Sequence, residues 1–295
     1  MTRIAVLTTS YPAHEGDGAG HFVASEVRAL EAAGCTVHVF VPRGAAFGWP
    51  GILPRLRARP GRAVSLPRAL WTTRAAFRRG EPYDRVIAHW MPTALLARGS
   101  RAPLTVVVHG SDVTLLESLP APLARPVATL LLSRADRIEV VSEALRARLA
   151  RFFAAGAPMA DRTFVVAPRI EVEADRAKRE AATLRTSLGL GDRRLGVVVA
   201  RLIASKRVDR VIARVADSSP RPVLVVVGDG PERARLVAFA RERGVDARFV
   251  GQVPRDVALA FIAAADVVMH ASEREGLSTV LREAEALGTP VDAVL

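Results

Sequence analysis

Leu195-Gly196-Val197-Val198-Val199 and Val223-Leu224-Val225-Val226-Val227, with a helical stretch at Val208–Ala216 between them, decide how this chain is read. Each five-residue run is apolar throughout, which suits a strand buried on both faces of a parallel sheet. Strand, helix and strand in so short a span make a βαβ unit. The second strand runs directly into Gly228-Asp229-Gly230-Pro231-Glu232, a tight turn opening another helix.

The same alternation extends in both directions. Downstream, Ala247–Val250 and Asp266–His270 read as strands, with helices at Glu232–Arg243, Arg255–Ala264 and Leu277–Leu287. Upstream, Arg3–Leu7, Thr36–Val41, Arg85–Ala88, Leu104–Val108, Arg137–Val141 and Thr163–Val166 read as strands, and Gly20–Ala33 and Ser142–Phe153 as helices. A polar stretch after Pro168, holding a helix near Ala174–Leu188, divides the two series. The expected architecture is α/β: two Rossmann-like αβα domains, 1–170 and 171–295, facing each other across a cleft. Ligands of such sheets bind beyond the carboxyl ends of the strands.

Composition narrows the function. Half of the 295 residues are hydrophobic and 5% aromatic, a core built of Ala, Val, Leu and Ile. No apolar run reaches the ~20 residues of a membrane span, and Met1-Thr2-Arg3 leads too quickly into the first strand for a signal peptide. The single cysteine, Cys35, suggests neither a disulfide nor a zinc site, so a cytoplasmic setting is expected. The formal charge is +12, yet only Lys178 and Lys206 are lysines among 42 basic residues. Arginine in place of lysine throughout reads as a composition bias, and no nucleic-acid motif accompanies it.

Chemistry gathers at the predicted strand ends. Arg201 follows one strand and Lys206 stands five residues on, two cations able to neutralise a diphosphate. Gly228, Asp229 and Gly230 follow the next strand; the glycines permit close approach of a ligand, and a tight βα turn explains them nearly as well. Glu275-Gly276-Leu277-Ser278-Thr279 then opens a helix that carries Glu283, eight residues and about two turns after Glu275. The N–H groups of Gly276 to Thr279 form a helix N-terminus suited to an anion. One carboxylate can hold sugar hydroxyls and the other ribose hydroxyls, with the diphosphate between.

In this order Arg201–Lys206, Gly228–Glu232 and Glu275–Glu283 resemble the signatures of glycosyltransferase family 4, retaining enzymes of the GT-B fold, whose E-x7-E motif the last matches. The resemblance implies a UDP- or GDP-sugar donor bound by the second domain, an acceptor met mainly by the first, and neither cofactor nor obligatory metal. Thr9-Ser10-Tyr11-Pro12 with Gly16, Gly18 and Gly20 resembles the family's opening loop, placed near the donor phosphate. His109, ending a strand within His109-Gly110-Ser111-Asp112, matches the family's histidine at the sugar, which hydrogen-bonds the donor and aligns the anomeric carbon. His89 and Trp90, at the end of the preceding strand, either line the acceptor cleft or simply pack. A glycan or lipid-linked acceptor follows from the same likeness.

Two features depart from the pattern. Pro168-Arg169-Ile170-Glu171 replaces the family's usual Asn-Gly-Val-Asp. The chain also stops at Leu295, where the family continues through a further βα unit, so the second domain is expected to be incomplete. That opens an alternative: an impaired relative that binds a nucleotide sugar without turning it over. An oxidoreductase would need Gly-x-Gly-x-x-Gly after the first strand, and Thr8-Thr9-Ser10-Tyr11-Pro12 stands there instead. Finally, residues 43–80 carry nine arginines and no acid, with Phe47, Trp49, Trp71 and Phe77 interleaved. Leu66, Leu70 and Phe77 are expected on one helical face. Either this stretch rests on anionic lipid at the inner face of the membrane, or it packs on the first sheet with an arginine-rich outer side.

Overall fold

The computed structural model describes residues 1–12, 20–47, 52–154, 156–272 and 277–294, at 53 and 54 through the backbone alone. Among them are eleven strands: β1 Arg3–Leu7, β2 Thr36–Phe40, β3 Arg85–His89, β4 Leu104–Val108, β5 Arg137–Val140, β6 Thr163–Val165, β7 Leu195–Val199, β8 Val223–Val227, β9 Ala247–Gly251, β10 Val267–His270 and β11 Val291–Ala293. The helices are α1 His21–Ala32, α2 Ile52–Ala58, α3 Ser65–Gly80, α4 Ser111–Glu117, α5 Ala121–Leu132, α6 Glu143–Ala150, α7 Pro158–Asp161, α8 Ala174–Ser187, α9 Val208–Ala216, α10 Arg233–Glu242, α11 Arg255–Ala264 and α12 Thr279–Leu287. The chain divides into two compact units, one ending at Arg169 and the other running on from Ile170.

Each unit is built on one parallel sheet. The first has strand order β2-β1-β3-β4-β5-β6 and the second β11-β10-β7-β8-β9. Both are Rossmann-like, and in both the strand order reverses at one point. That point lies between β1 and β3 in the first sheet and between β7 and β10 in the second, where the crevice of a doubly wound sheet opens. In the second sheet Val198, Leu224 and Val226 pack with α9 and α10, while Val197, Val223 and Val225 face α8 and α11. Cover on both faces explains why these strands are apolar at every position.

Several local expectations need adjustment. Val291–Ala293 forms β11, registered on Val268–His270, so these residues add an edge strand to the second sheet. Val268 is fully buried and Val294 packs on the core, while Val291 is 42% exposed. The last helix begins at Thr279, not Leu277. In α3 the buried face is Ala69, Thr73 and Phe77; Leu70 is 40% exposed, contrary to its expected place on the apolar face. Arg74 donates to the carbonyls of Leu95, Leu96 and Arg98, so one arginine of the basic stretch closes the turn at Met91–Ala97. The other arginines include Arg78, paired with Glu81 at 2.9 Å. Among the described residues no helix is long and apolar enough to cross a membrane.

Candidate active site

At the reversal point of the second sheet, the chain leaves β7 through Ala200 and Arg201 and reaches the short helical turn Ala204–Lys206. Leu202, fully buried, anchors this loop from the middle. Its N–H donates to the Asp229 carbonyl at 2.9 Å and its carbonyl accepts from Glu232 N–H at 3.0 Å. The loop after β8 thereby holds the loop after β7, and Gly228 shows how closely. At φ 128° a Cβ there would run into the Ala200 carbonyl oxygen. The glycine expected to admit a ligand therefore makes room first for neighbouring backbone. Asp229 turns inward on its own loop, accepting from Gly230 N–H at 2.7 Å.

Anchoring at Leu202 fixes the two cations on either side of it. Burial lowers the pKa of Arg201, and burial together with the Arg201 charge lowers Lys206 to about 8. Arg207, next in sequence, pairs with Asp209 at the start of α9 instead. His270, at the end of β10 across the reversal point, joins the group. Burial first and the Lys206 charge second hold it down to about 4, so it is neutral at physiological pH. Sequence reasoning passed over His270, although its place at a strand's carboxyl end is the signal that singled out His109.

Ser278, buried, stands at the N-cap of α12 and Thr279 is its first residue; Leu277 precedes them half-buried. Glu283 sits on the fifth position of that helix, 5% exposed, and accepts from Arg255 Nη2 at 2.9 Å. Arg255 was not foreseen; it also donates to the Glu171 carbonyl and so ties α11 and α12 to the chain before α8. Glu275, Gly276 and Gly18 lie outside the described residues.

The first unit has its own cluster at the reversal point of its sheet. His89 ends β3, His109 follows β4, and Glu26 projects from the middle of α1. The imidazoles lie within 14° of parallel with centroids 5.3 Å apart and meet edge to edge, His89 Nδ1 standing 3.1 Å from His109 Nε2. Phe22 packs on His109 at 4.7 Å. Asp112, fully buried, fixes the two strand ends together, accepting from His109 N–H and Met91 N–H at 2.7 Å each. That clamp holds Trp90 at φ 79°, a left-handed conformation costly for a bulky residue. Trp90 is half-buried and His89 almost wholly so. Gly20 opens α1 at φ 67°, where a Cβ would strike the Ser10 carbonyl, which keeps α1 against the loop after β1.

Two Rossmann-like parallel sheets, one with a basic group at its switch point and one with paired histidines at its strand ends, have the build of the GT-B type, and comparison with known proteins identifies the class as glycosyltransferase. Residues 17–160 match the family model "Glycosyl transferase 4-like domain" and residues 181–293 the model "Glycosyl transferases group 1". A 2-deoxystreptamine glucosyltransferase of Streptomyces kanamyceticus is 33% identical over 82% of this chain and 68% of its own. A GDP-mannose-dependent phosphatidylinositol monomannoside mannosyltransferase of Mycolicibacterium smegmatis is 30% identical over 68% of this chain and 56% of its own. Among solved structures, sucrose-phosphate synthase of Thermosynechococcus elongatus superposes with a TM-score of 0.77 at 21% identity, covering 99% of this chain and 81% of that one. Anabaena HepE, crystallised with UDP and glucose, gives 0.67 at 19% identity, covering 99% and 80%. The chain belongs to the GT-B glycosyltransferase family with group 1 and family 4-like domains.

Proposed function

We infer that this protein moves a sugar from a UDP- or GDP-sugar to an acceptor hydroxyl, with retention at the anomeric carbon. The observation that carries the reading is the desolvated pair Arg201 and Lys206 at the switch point of the second sheet. Partly buried cations meet a diphosphate with little water to displace and gain most as leaving-group charge builds. Glu283 takes the ribose hydroxyls by exchanging its partner Arg255, and Glu275 the sugar hydroxyls. Gly18, Gly20, Gly228, Asp229 and residues 276–279 surround the donor, and His109 hydrogen-bonds its sugar. Retention follows a same-face displacement in which the departing phosphate takes the acceptor proton. His89 and Trp90 serve the acceptor side, and the exposed arginines of residues 43–80 make at most a weak contact with anionic lipid, the stretch otherwise packing on the first unit.

Two relatives favour a glycan or lipid-linked acceptor of the cell envelope: the inositol-lipid mannosyltransferase and a putative teichuronic acid biosynthesis glycosyltransferase of Bacillus subtilis, 26% identical over 98% of this chain. The 2-deoxystreptamine glucosyltransferase supports a second reading, a small aminocyclitol acceptor. Proton NMR of the first turnovers tests the reaction type. A product with the donor's anomeric configuration is expected; an inverted product refutes retention.

A further inference from the structure

Glu26 has no task in the transfer just described, yet it stands at the end of a line of polar atoms leading to His109. Its Oε2 lies 3.5 Å from His89 Nε2, and His89 Nδ1 lies 3.1 Å from His109 Nε2. The His89 side chain is 3% exposed, and its Nε2 is buried without a hydrogen bond of normal geometry, so the carboxylate is the charge it faces. The near-parallel rings, 14° apart and meeting edge to edge, with Phe22 against His109, hold the line in place.

Both rings are neutral at physiological pH. Burial pushes His109 down to about 4, and burial with His109 beside it lowers His89 well below its ordinary value. A hydrogen bond between two neutral imidazoles carries one proton, on one ring or the other. An ionised Glu26 can only accept. His89 then carries its hydrogen on Nε2, its bare Nδ1 accepts from His109 Nε2–H, and His109 Nδ1 is left with a lone pair. A protonated Glu26 donates to His89 Nε2 and reverses the line. His89 Nδ1–H then donates to His109 Nε2, and His109 carries its hydrogen on Nδ1. In passing from the first state to the second, the His89 Nε2 hydrogen moves to Glu26, the His109 Nε2 hydrogen moves to His89 Nδ1, and one proton from solvent fills His109 Nδ1; the charge changes at Glu26 and neither ring changes charge.

The geometry points to Glu26 as a positioning residue that, through His89, sets whether His109 offers a lone pair or an N–H at Nδ1. The consequence for transfer rests on the reading that His109 meets the donor sugar. A bare Nδ1 backed by a carboxylate accepts from a sugar hydroxyl and favours positive charge at the anomeric carbon, so the ionised form is the active one. Burial holds Glu26 up to about 7; Glu139 on β5 pushes it the same way, while Arg85 on β3 and Arg169 beyond β6 oppose. The switch then falls near neutrality, in the range of Asp112 on α4, which burial raises to about 7 and which accepts from His109 N–H, so variants at Glu26 are needed to separate the two carboxyls.

The test uses the full chain with 15N-labelled histidine, His109 being assigned from a His109→Gln spectrum, because ring-nitrogen shifts separate a protonated nitrogen from a bare one. His109 Nδ1 is expected bare at about pH 8.5 and protonated at about pH 5.5 in the unmodified chain. In Glu26→Leu and Glu26→Gln, which cannot titrate, that exchange is expected to vanish. A His109 tautomer that ignores pH, or that switches equally in both variants, overturns the relay. With UDP-glucose or another donor the chain turns over, Glu26→Leu is expected to lose about tenfold in kcat, the low end of what losing an imidazole-orienting partner costs at metal sites. Glu26→Gln is expected to lose the fall in rate below about pH 7. A tautomer that switches as described while turnover ignores both variants upholds the relay and overturns the placement of His109 at the sugar.

Discussion

Replacing Lys206 with methionine should make the protein more stable and a poorer binder of nucleotide at once. In the fold the ammonium titrates at about 8, against 10.5 for the free side chain, with burial the chief cause and Arg201 the second. Over that interval the unfolded chain holds a proton that the folded one has lost, so charged Lys206 costs the fold about 3 kcal/mol at neutral pH. Methionine keeps the stem and removes the charge. For a unit of this size that corresponds to a gain on the order of 5 to 10 °C in Tm. The sign makes a second demand: the wild type recovers stability as pH rises from 8 to 10.5, so the gap to the variant should close there. UDP binding should move the other way. Losing one charge-assisted contact to phosphate weakens it about tenfold to a hundredfold at neutral pH. Wild-type affinity should fall by about one decade per pH unit above 8, since binding then takes up a proton, and the variant should lack that slope. Calorimetric melts and UDP titrations across this range check both arms. A Lys206→Met protein that melts lower and binds UDP as before would show that Lys206 is neither a cost to the fold nor a phosphate contact.

Two other perturbations follow from buried polar pairs. Asp112→Asn leaves one of the Met91 and His109 N–H groups without an acceptor, and should cost about 1 to 3 kcal/mol in a denaturant melt; an unchanged midpoint would remove Asp112 from its clamping role. Glu283→Ala should destabilise by about 3 kcal/mol or more because Arg255 is left half-buried and unpaired by its carboxylate, whereas Arg255→Met with Glu283→Met should recover most of that loss; equal melts for the single and double variants would show that the pair does not act as a unit.

Much of the fold could be read from the chain because its signals are local. Five-residue valine-rich runs such as Val223–Val227 read as strands because helices cover both faces, and the ends of β1 to β10 could be placed within a residue or two. Where tertiary contacts decide, the sequence was mute. Helix α5 carries Pro122 in its first turn and Pro126 inside, and propensity argues against it. Val291–Ala293 is a strand only because β10 is there to pair with it. Among site residues, Arg201 and Lys206 were legible as a spaced pair of cations. Their anchoring by buried Leu202, the neutral His270 beside them and the Arg255 partner of Glu283 were not, since each depends on segments distant in sequence. The same holds for Glu26, an ordinary helical glutamate until β3 brings His89 to it.

We place nucleotide-sugar chemistry on the loop between Arg201 and Lys206. Mass spectrometry of UDP- and GDP-sugars incubated with the purified chain measures it most directly, with an Arg201→Ala/Lys206→Ala protein of unchanged circular dichroism beside it. Release of UDP or GDP from at least one donor is expected with the unmodified chain, and its loss, by about a hundredfold or more, in the double variant. Donor breakdown that proceeds equally in both proteins would contradict that placement.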